Sequence, residues 1–186
     1  VYNDPRIKVV AINDLAANEV MSHLFKYDSI HGILNAVVTF DEHSIIVNEH
    51  HITFTHHRNL EDLQWENVDI VIESTGKYKT KIDLQKHLNA GAKKVILSAP
   101  PIEEDIKTVV IGVNEHILTN EDVIFSNASC TTNNAAPLIK VIKELCGIEQ
   151  AYITTIHSYT TDQSLHDQPH KDLRRARAAG QSIVPT

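Results

Sequence analysis

The sequence predicts an α/β protein in which an incomplete doubly wound parallel sheet leads into the start of an α+β domain. Three observations predict it: short β-branched apolar runs recur, helical patterns lie between several of them, and no internal repeat or low-complexity linker interrupts the series. The runs at 7–12, 68–72, 95–97, 109–113 and 123–125 are the expected parallel strands, buried on both faces. Residues 18–26 read as a helix with Val20, Met21, Leu24 and Phe25 on one face. Residues 81–89 do the same with Ile82, Leu84 and Leu88, and Gly91 stands at the C-cap position. The pieces 37–40, 44–47 and 50–54 predict an antiparallel meander inserted into the sheet's connections. A helical pattern returns at 131–145, where Pro137 either kinks the helix or marks the start of its regular part. Residues 151–158, rich in Ile and Thr, predict a strand. The polar, basic stretch 159–186 is either a functional loop or an element severed from its partners.

With 186 residues and 42% hydrophobic content, the chain can build one ordinary core, or one domain and part of a second. The expected division is 1–128 and 129–186. No apolar run is long enough for a membrane span, and no signal-peptide pattern is read at the front, so the cytoplasm is the expected compartment. A net charge of −7 argues against a general nucleic-acid or membrane-surface binder, which needs a positive field. Cys130 and Cys146 cannot make a disulfide framework, which suits a reducing compartment. The chain opens just before a strand, and a missing N-terminal segment is expected.

Four features carry chemistry. Asp14 ends the first predicted strand, where a carboxylate can accept from the ribose hydroxyls of an adenine nucleotide and repel a 2′-phosphate; an Asp in this place is more often a turn residue or helix cap. The glycine fingerprint that should precede it is absent, and no G-x-G-x-x-G occurs in the chain. Cys130 lies between a predicted strand and a helix in Ser126-Asn127-Ala128-Ser129-Cys130-Thr131-Thr132-Asn133-Asn134. At a helix N-terminus the unpaired N–H groups and the dipole favour thiolate, and the Ser, Thr and Asn neighbours can bind an oxyanion or a phosphate. The competing reading is an inert buried thiol, the one assigned to Cys146. His157 ends the predicted strand 151–158 and can pair with a thiolate, then act as acid or base. The pairs His50–His51 and His56–His57 are expected at the surface, with no metal, because no cysteine or carboxylate arrangement supports one. Lys171, Arg174, Arg175 and Arg177 form a basic cluster that is either a solvated face or a holder of phosphate or of a neighbouring subunit.

Together these segments resemble the glyceraldehyde-3-phosphate dehydrogenase family. Val10-Ala11-Ile12-Asn13-Asp14-Leu15, with Lys26-Tyr27-Asp28-Ser29-Ile30-His31-Gly32, resembles the adenosine-ribose strand and its following loop. Glu73-Ser74-Thr75-Gly76 and Leu97-Ser98-Ala99-Pro100 resemble the nicotinamide-side strand ends. Ser129-Cys130-Thr131-Thr132-Asn133 resembles the active-site signature. His157-Ser158-Tyr159-Thr160 and Asp172-Leu173-Arg174-Arg175-Ala176-Arg177-Ala178-Ala179 resemble the catalytic-histidine strand and the S-shaped loop. The resemblance covers essentially the whole chain, and it implies a Rossmann-type cofactor domain truncated at its front and a catalytic domain truncated at its back.

The resemblance implies oxidation and phosphorylation of glyceraldehyde 3-phosphate to 1,3-bisphosphoglycerate, a glycolytic step, with NAD and inorganic phosphate. Cys130 is the implied nucleophile and His157 its base. Asn13, Asp14, Arg58, Thr75, Gly76, Ser98 and Pro169 map to the cofactor, with Asp14 and Pro169 favouring NAD over NADP. Ser129 and Thr131 map near inorganic phosphate, and Thr160 and Arg175 near substrate phosphate. The implied assembly is a homotetramer when full length, and the piece alone is expected to be inactive. Asn134 stands where the signature usually has a second cysteine, and Gln168 where leucine commonly precedes the proline. Erythrose-4-phosphate dehydrogenase and a non-catalytic interaction module are the competing readings. Thr160-Thr161-Asp162-Gln163 and Pro169-His170-Lys171-Asp172 look more like the triose enzyme.

Overall fold

The computed structural model describes residues 4–185, divided between the units Val1–Leu145 and Cys146–Thr186. The first unit opens with β1 (Ala11–Asn13) and α1 (Asn18–Lys26), followed by the antiparallel ribbon of β2 (Tyr27–Asp28) and β3 (Gly32–Ile33). The predicted meander follows as β4 (Val38–Phe40), β5 (Ser44–Val47) and β6 (His50–Thr55), each antiparallel to the next. Strand β6 then pairs in parallel with β1, so the sheet order is β1-β6-β5-β4. Its core is Ile45, Val47, Ile52 and Phe54, against which Met21 of α1 and Leu34 pack.

The second sheet contains β7 (Ile70–Glu73), β8 (Lys94–Leu97), β9 (Lys107–Thr108) and β10 (Ile124–Ser126), all parallel, in the order β7-β8-β10-β9. Helix α2 (Lys81–Asn89) links β7 to β8, and α3 (Cys130–Cys146) follows β10. The Thr80 hydroxyl accepts from the Asp83 N–H at 3.1 Å and caps α2. Leu84 of α2 is fully buried against Val95, Leu97 and Ile106. A further cluster of Leu60, Leu63, Trp65, Val68, Val71 and Ala92 takes in Val10 and Ala11, and so joins the two sheets by packing. Among the described residues no strand bridges β1 and β7 by hydrogen bonds.

Several expectations are corrected. The first strand covers only Ala11–Asn13 of the expected 7–12. The expected strand at 109–113 is a turn, because the Asn114 side chain takes backbone groups that a ladder would use: its Oδ1 accepts from Val110 N–H at 2.7 Å and its Nδ2 donates to Thr108 O at 3.0 Å. Strand β7 is buried on one face only; Ile70 and Ile72 are exposed while Val71 and Glu73 are buried. Helix α1 turns Val20 and Leu24 to the surface and docks through polar groups, with Asn18 Nδ2 donating to Asp41 O at 2.8 Å and Lys26 Nζ to Ala36 O at 2.6 Å. Helix α3 runs through Pro137, with Leu138, Val141, Ile142 and Leu145 exposed. Residues 151–158 form no strand. They are exposed throughout, and without a ladder partner an extended run is no sheet.

In the second unit, 147–185 contains turns and no helix or strand. Its loop is closed by Gln168 N–H to Ala176 O and Ala179 N–H to Ser164 O, both at 3.0 Å.

Candidate active site

Five of the predicted cofactor positions lie at or just after the ends of three parallel strands. Asn13 ends β1, and its side chain mimics a further ladder rung: Nδ2 donates to His57 O at 3.0 Å, while Oδ1 accepts from His57 N–H at 2.8 Å and from the Thr55 hydroxyl at 2.9 Å. Asp14, next along, donates its N–H to Thr55 O at 3.0 Å, and its Oδ1 accepts from Ala16 N–H at 2.8 Å. The His56 Nδ1–H donates to Asp14 O at 2.8 Å, so this backbone is clamped from both sides. His50 is not a plain surface residue either: its half-buried ring donates from Nε2 to Val9 O at 2.6 Å. Among the described residues no group of three or more side chains stands ready to hold a metal.

Thr75 and Gly76 follow β7, and Ser98 follows β8, with the Ser98 N–H bonded to Glu73 O at 3.0 Å. Gly76 has φ +70 with nothing within 4 Å of a built Cβ, so the backbone is open to a ligand there. Thr75 is exposed but firmly held. Its N–H donates to Glu73 Oε1 at 2.8 Å, and its hydroxyl donates to the same oxygen. Arg58 is exposed, and its carbonyl accepts from the Tyr78 hydroxyl at 3.1 Å.

Cys130 is the first residue of α3 and is exposed. A tight strand-to-helix turn presents it. Asn127 N–H bonds Leu97 O at 3.0 Å, Ala128 takes φ +59, and Ser129 becomes the cap. The Ser129 hydroxyl accepts from Thr132 N–H at 3.1 Å, and its carbonyl accepts from Asn133 N–H at 2.9 Å. Asn133 Nδ2 reaches back to Asn127 O at 2.7 Å and Ser129 O at 3.0 Å, stitching the first turn to the strand end. Beneath it, the fully buried Ser126 hydroxyl donates to Ala99 O at 2.6 Å and accepts from Ala128 N–H at 3.0 Å. The half-buried Thr131 lies in the same first turn as Cys130. The sequence marked Cys130 but missed Ser126, Ala128 and Asn133; a small residue in a strand-to-helix turn was the signal to read.

His157 belongs to the second unit, so the proposed pair is divided between the two units. Its Nδ1 lies 2.6 Å from Ser158 O; a carbonyl can only accept, so Nδ1 is the donor in this contact. Thr160 N–H donates to Gln163 Oε1 at 2.9 Å, and Pro169 is exposed beside Gln168. The three arginines of the basic cluster pair with aspartates of the same loop. Arg174 pairs with Asp172 at 2.8 Å, Arg177 with Asp167 at 3.6 Å, and Arg175 with Asp162, which also receives His170 at 3.4 Å. The Arg174 guanidinium beside Asp172 holds that carboxyl at about 2.

Two family models match the chain: "Glyceraldehyde 3-phosphate dehydrogenase, NAD binding domain" over residues 1–81, and "Glyceraldehyde 3-phosphate dehydrogenase, C-terminal domain" over 129–186. The chain is 51% identical over 188 residues to glyceraldehyde-3-phosphate dehydrogenase 1 of Bacillus subtilis, covering 99% of the chain and 56% of that protein. It is 51% identical to the Geobacillus stearothermophilus enzyme (98% and 55%) and 50% identical to that of Thermotoga maritima (98% and 55%). The chain thus spans about half the length of the curated relatives it matches. With both family domains matched and half of all aligned positions identical, the chain belongs to the glyceraldehyde-3-phosphate dehydrogenase family.

Proposed function

We propose that the protein to which this chain belongs is a phosphorylating, NAD-dependent glyceraldehyde-3-phosphate dehydrogenase acting in glycolysis. The observation that carries the proposal is Cys130 at the first position of a capped helix, exposed above a turn in which Ala128 is left-handed. The N–H groups of such a first turn and the helix dipole stabilise a thiolate and an oxyanion formed beside it. Cys130 attacks the aldehyde carbon to give a hemithioacetal. His157 accepts the hemithioacetal hydroxyl proton as hydride departs. Bound NAD supplies the hydride acceptor. The remaining thioester is attacked by inorganic phosphate, the carbon–sulfur bond breaks, and Cys130 leaves as thiolate with 1,3-bisphosphoglycerate as product. Ser129 and Thr131 in the first turn of α3 are assigned to inorganic phosphate, and Thr160 and Arg175 to substrate phosphate.

For NAD, the donor set fits at both ends of the molecule. Asp14 offers a carboxylate at the end of β1, and Gly76 leaves open space at the end of β7 beside Thr75, with Ser98 after β8; ligands of open parallel sheets bind at these carboxyl ends. Asn13, Arg58 and Pro169 complete the assigned set. We divide the chain functionally into 1–128 and 129–186, supported by the C-terminal family model beginning at 129. The contact division after Leu145 instead groups α3 with the first unit. The full-length protein is read as a cytoplasmic homotetramer, a compartment supported by the need of a thiolate nucleophile for reducing conditions.

The test is a spectrophotometric assay of the full-length protein. It should reduce NAD with glyceraldehyde 3-phosphate and inorganic phosphate, and Cys130→Ser should abolish the signal. Equal rates without phosphate would exclude the phosphorylating route, and faster turnover of erythrose 4-phosphate would reassign the substrate.

A further inference from the structure

Glu73 is a carboxylate only 4% exposed, which is costly to bury unless its lone pairs are met. They are met by a chain of donors that has one direction. The Trp65 indole N–H can only donate, and it gives to His87 Nδ1 at 3.1 Å. The His87 proton must then be on Nε2, which donates to Glu73 Oε2 at 3.0 Å. The other oxygen, Oε1, accepts both the N–H and the hydroxyl of Thr75. Three of these four residues are buried, at 8%, 3% and 4% for Trp65, His87 and Glu73, and only Thr75 reaches the surface.

We propose that Trp65, His87 and Glu73 form a buried relay that positions Thr75 and fixes its hydroxyl as an acceptor toward a hydrogen-bond donor of the bound cofactor. With its proton committed to Glu73, the Thr75 oxygen offers lone pairs alone; Lys77 N–H uses one at 3.2 Å, and Thr75 and the neighbouring Gly76, beside which no atom lies within 4 Å of a Cβ position, are both exposed. Such an oxygen selects an N–H or O–H group of the ligand and rejects a bare acceptor. The inference rests on the proposed NAD-dependent activity. Glu73, His87 and Trp65 are positioning residues; none of them touches the ligand.

The test uses two independent readouts. In the chain itself, Trp65 is the only tryptophan, so one indole N–H and the Thr75 amide can be followed by ¹H–¹⁵N NMR. His87→Leu should shift both signals, and His87→Gln, which can accept from the indole and donate to the carboxylate, should restore both. A Thr75 amide unmoved in His87→Leu overturns the relay, whether or not the protein uses NAD. In the full-length enzyme, Thr75→Val, which keeps the side-chain shape and the amide bond to Glu73 while removing the hydroxyl, should raise KM for NAD about tenfold, the worth of one hydrogen bond. KM for the aldehyde should rise less than KM for NAD, and Thr75→Ser, which keeps the hydroxyl, should recover most of the NAD affinity that Thr75→Val loses. An unchanged KM for NAD in Thr75→Val overturns the acceptor role, whereas absence of any NAD reduction by the wild type removes the proposed function instead.

Discussion

The Ser126 hydroxyl accepts the Ala128 N–H at 3.0 Å, and so holds a left-handed alanine two residues ahead of the nucleophile. The same hydroxyl donates to Ala99 O at 2.6 Å, tying the ends of β8 and β10 together. Ser126→Ala leaves a donor and an acceptor orphaned in the core, which costs about 1–3 kcal/mol. A urea melt should show that loss; an unchanged midpoint would mean that the turn holds itself.

Gly91 takes φ +115 after α2, and a Cβ there would lie 2.8 Å from the Trp65 carbonyl oxygen. That oxygen belongs to backbone, which cannot swing away, and Trp65 N–H is already bonded to Ala90 O at 2.8 Å. Gly91→Ala therefore combines a left-handed penalty of about 1–2 kcal/mol with a steric clash. A lowered thermal midpoint is expected; a stabilised variant would contradict the geometry.

Glu73 answers to acid in a defined direction. Burial pushes its carboxyl up, but hydrogen bonds from His87 and Thr75 outweigh this and hold it below the ordinary glutamate range. A carboxyl depressed by folding stabilises the native state above its unfolded value, and that contribution fades as pH falls through the folded one. Between neutral pH and pH about 3, wild type should lose stability more steeply than Glu73→Gln below the usual carboxylate range near about 4. Denaturant melts in parallel at several pH values read this out; parallel acid limbs would rule it out.

Asp122 offers a spectroscopic check on the second sheet's edge. The Lys107 ammonium at 2.8 Å, with the Thr119 N–H, holds its carboxyl at about 2. In Lys107→Met the ¹³C titration of this carboxyl should move upward, toward the ordinary aspartate value of about 3.9. A carboxyl that still titrates at its original position would assign the shift to Thr119 alone.

For the 186-residue chain, calorimetry is expected to detect no NAD affinity, because its sequence contains no G-x-G-x-x-G to bind a pyrophosphate. Micromolar binding would show that Asp14, Thr75 and Ser98 suffice without such a loop.

What could be read from residues alone was whatever local chemistry decides. The helices at Asn18–Lys26 and Lys81–Asn89 match their predicted bounds, since the residue spacing lies within each segment and α2 has its cap, Thr80, immediately before it. The meander was legible because β-branched runs alternate with turn residues over a short span. Partners far along the chain were not legible. Whether 151–158 pairs as a strand depends on a neighbouring strand, and which side of α1 meets the sheet depends on Asn18 finding the Asp41 carbonyl. At the site, Cys130 and Asp14 announce themselves by position. Glu73 read as part of a family motif, and the reason for it is a histidine on α2.

Pro137 has one further consequence. It lacks an N–H, so the rung that would tie it to the Asn133 carbonyl is missing from α3. On the near side of that gap, Cys130 and Thr131 are anchored to the strand end by the Asn133 and Ser129 side chains; on the far side, Lys140 Nζ holds the Gly112 carbonyl at 2.7 Å. The hydrogen-bond ladder of α3 is thus one rung short between its anchored first turn and its exposed end. Amide exchange beyond Pro137 can run fast while the turn carrying Cys130 stays shut, so fraying of the helix's exposed end need not reach the sulfur.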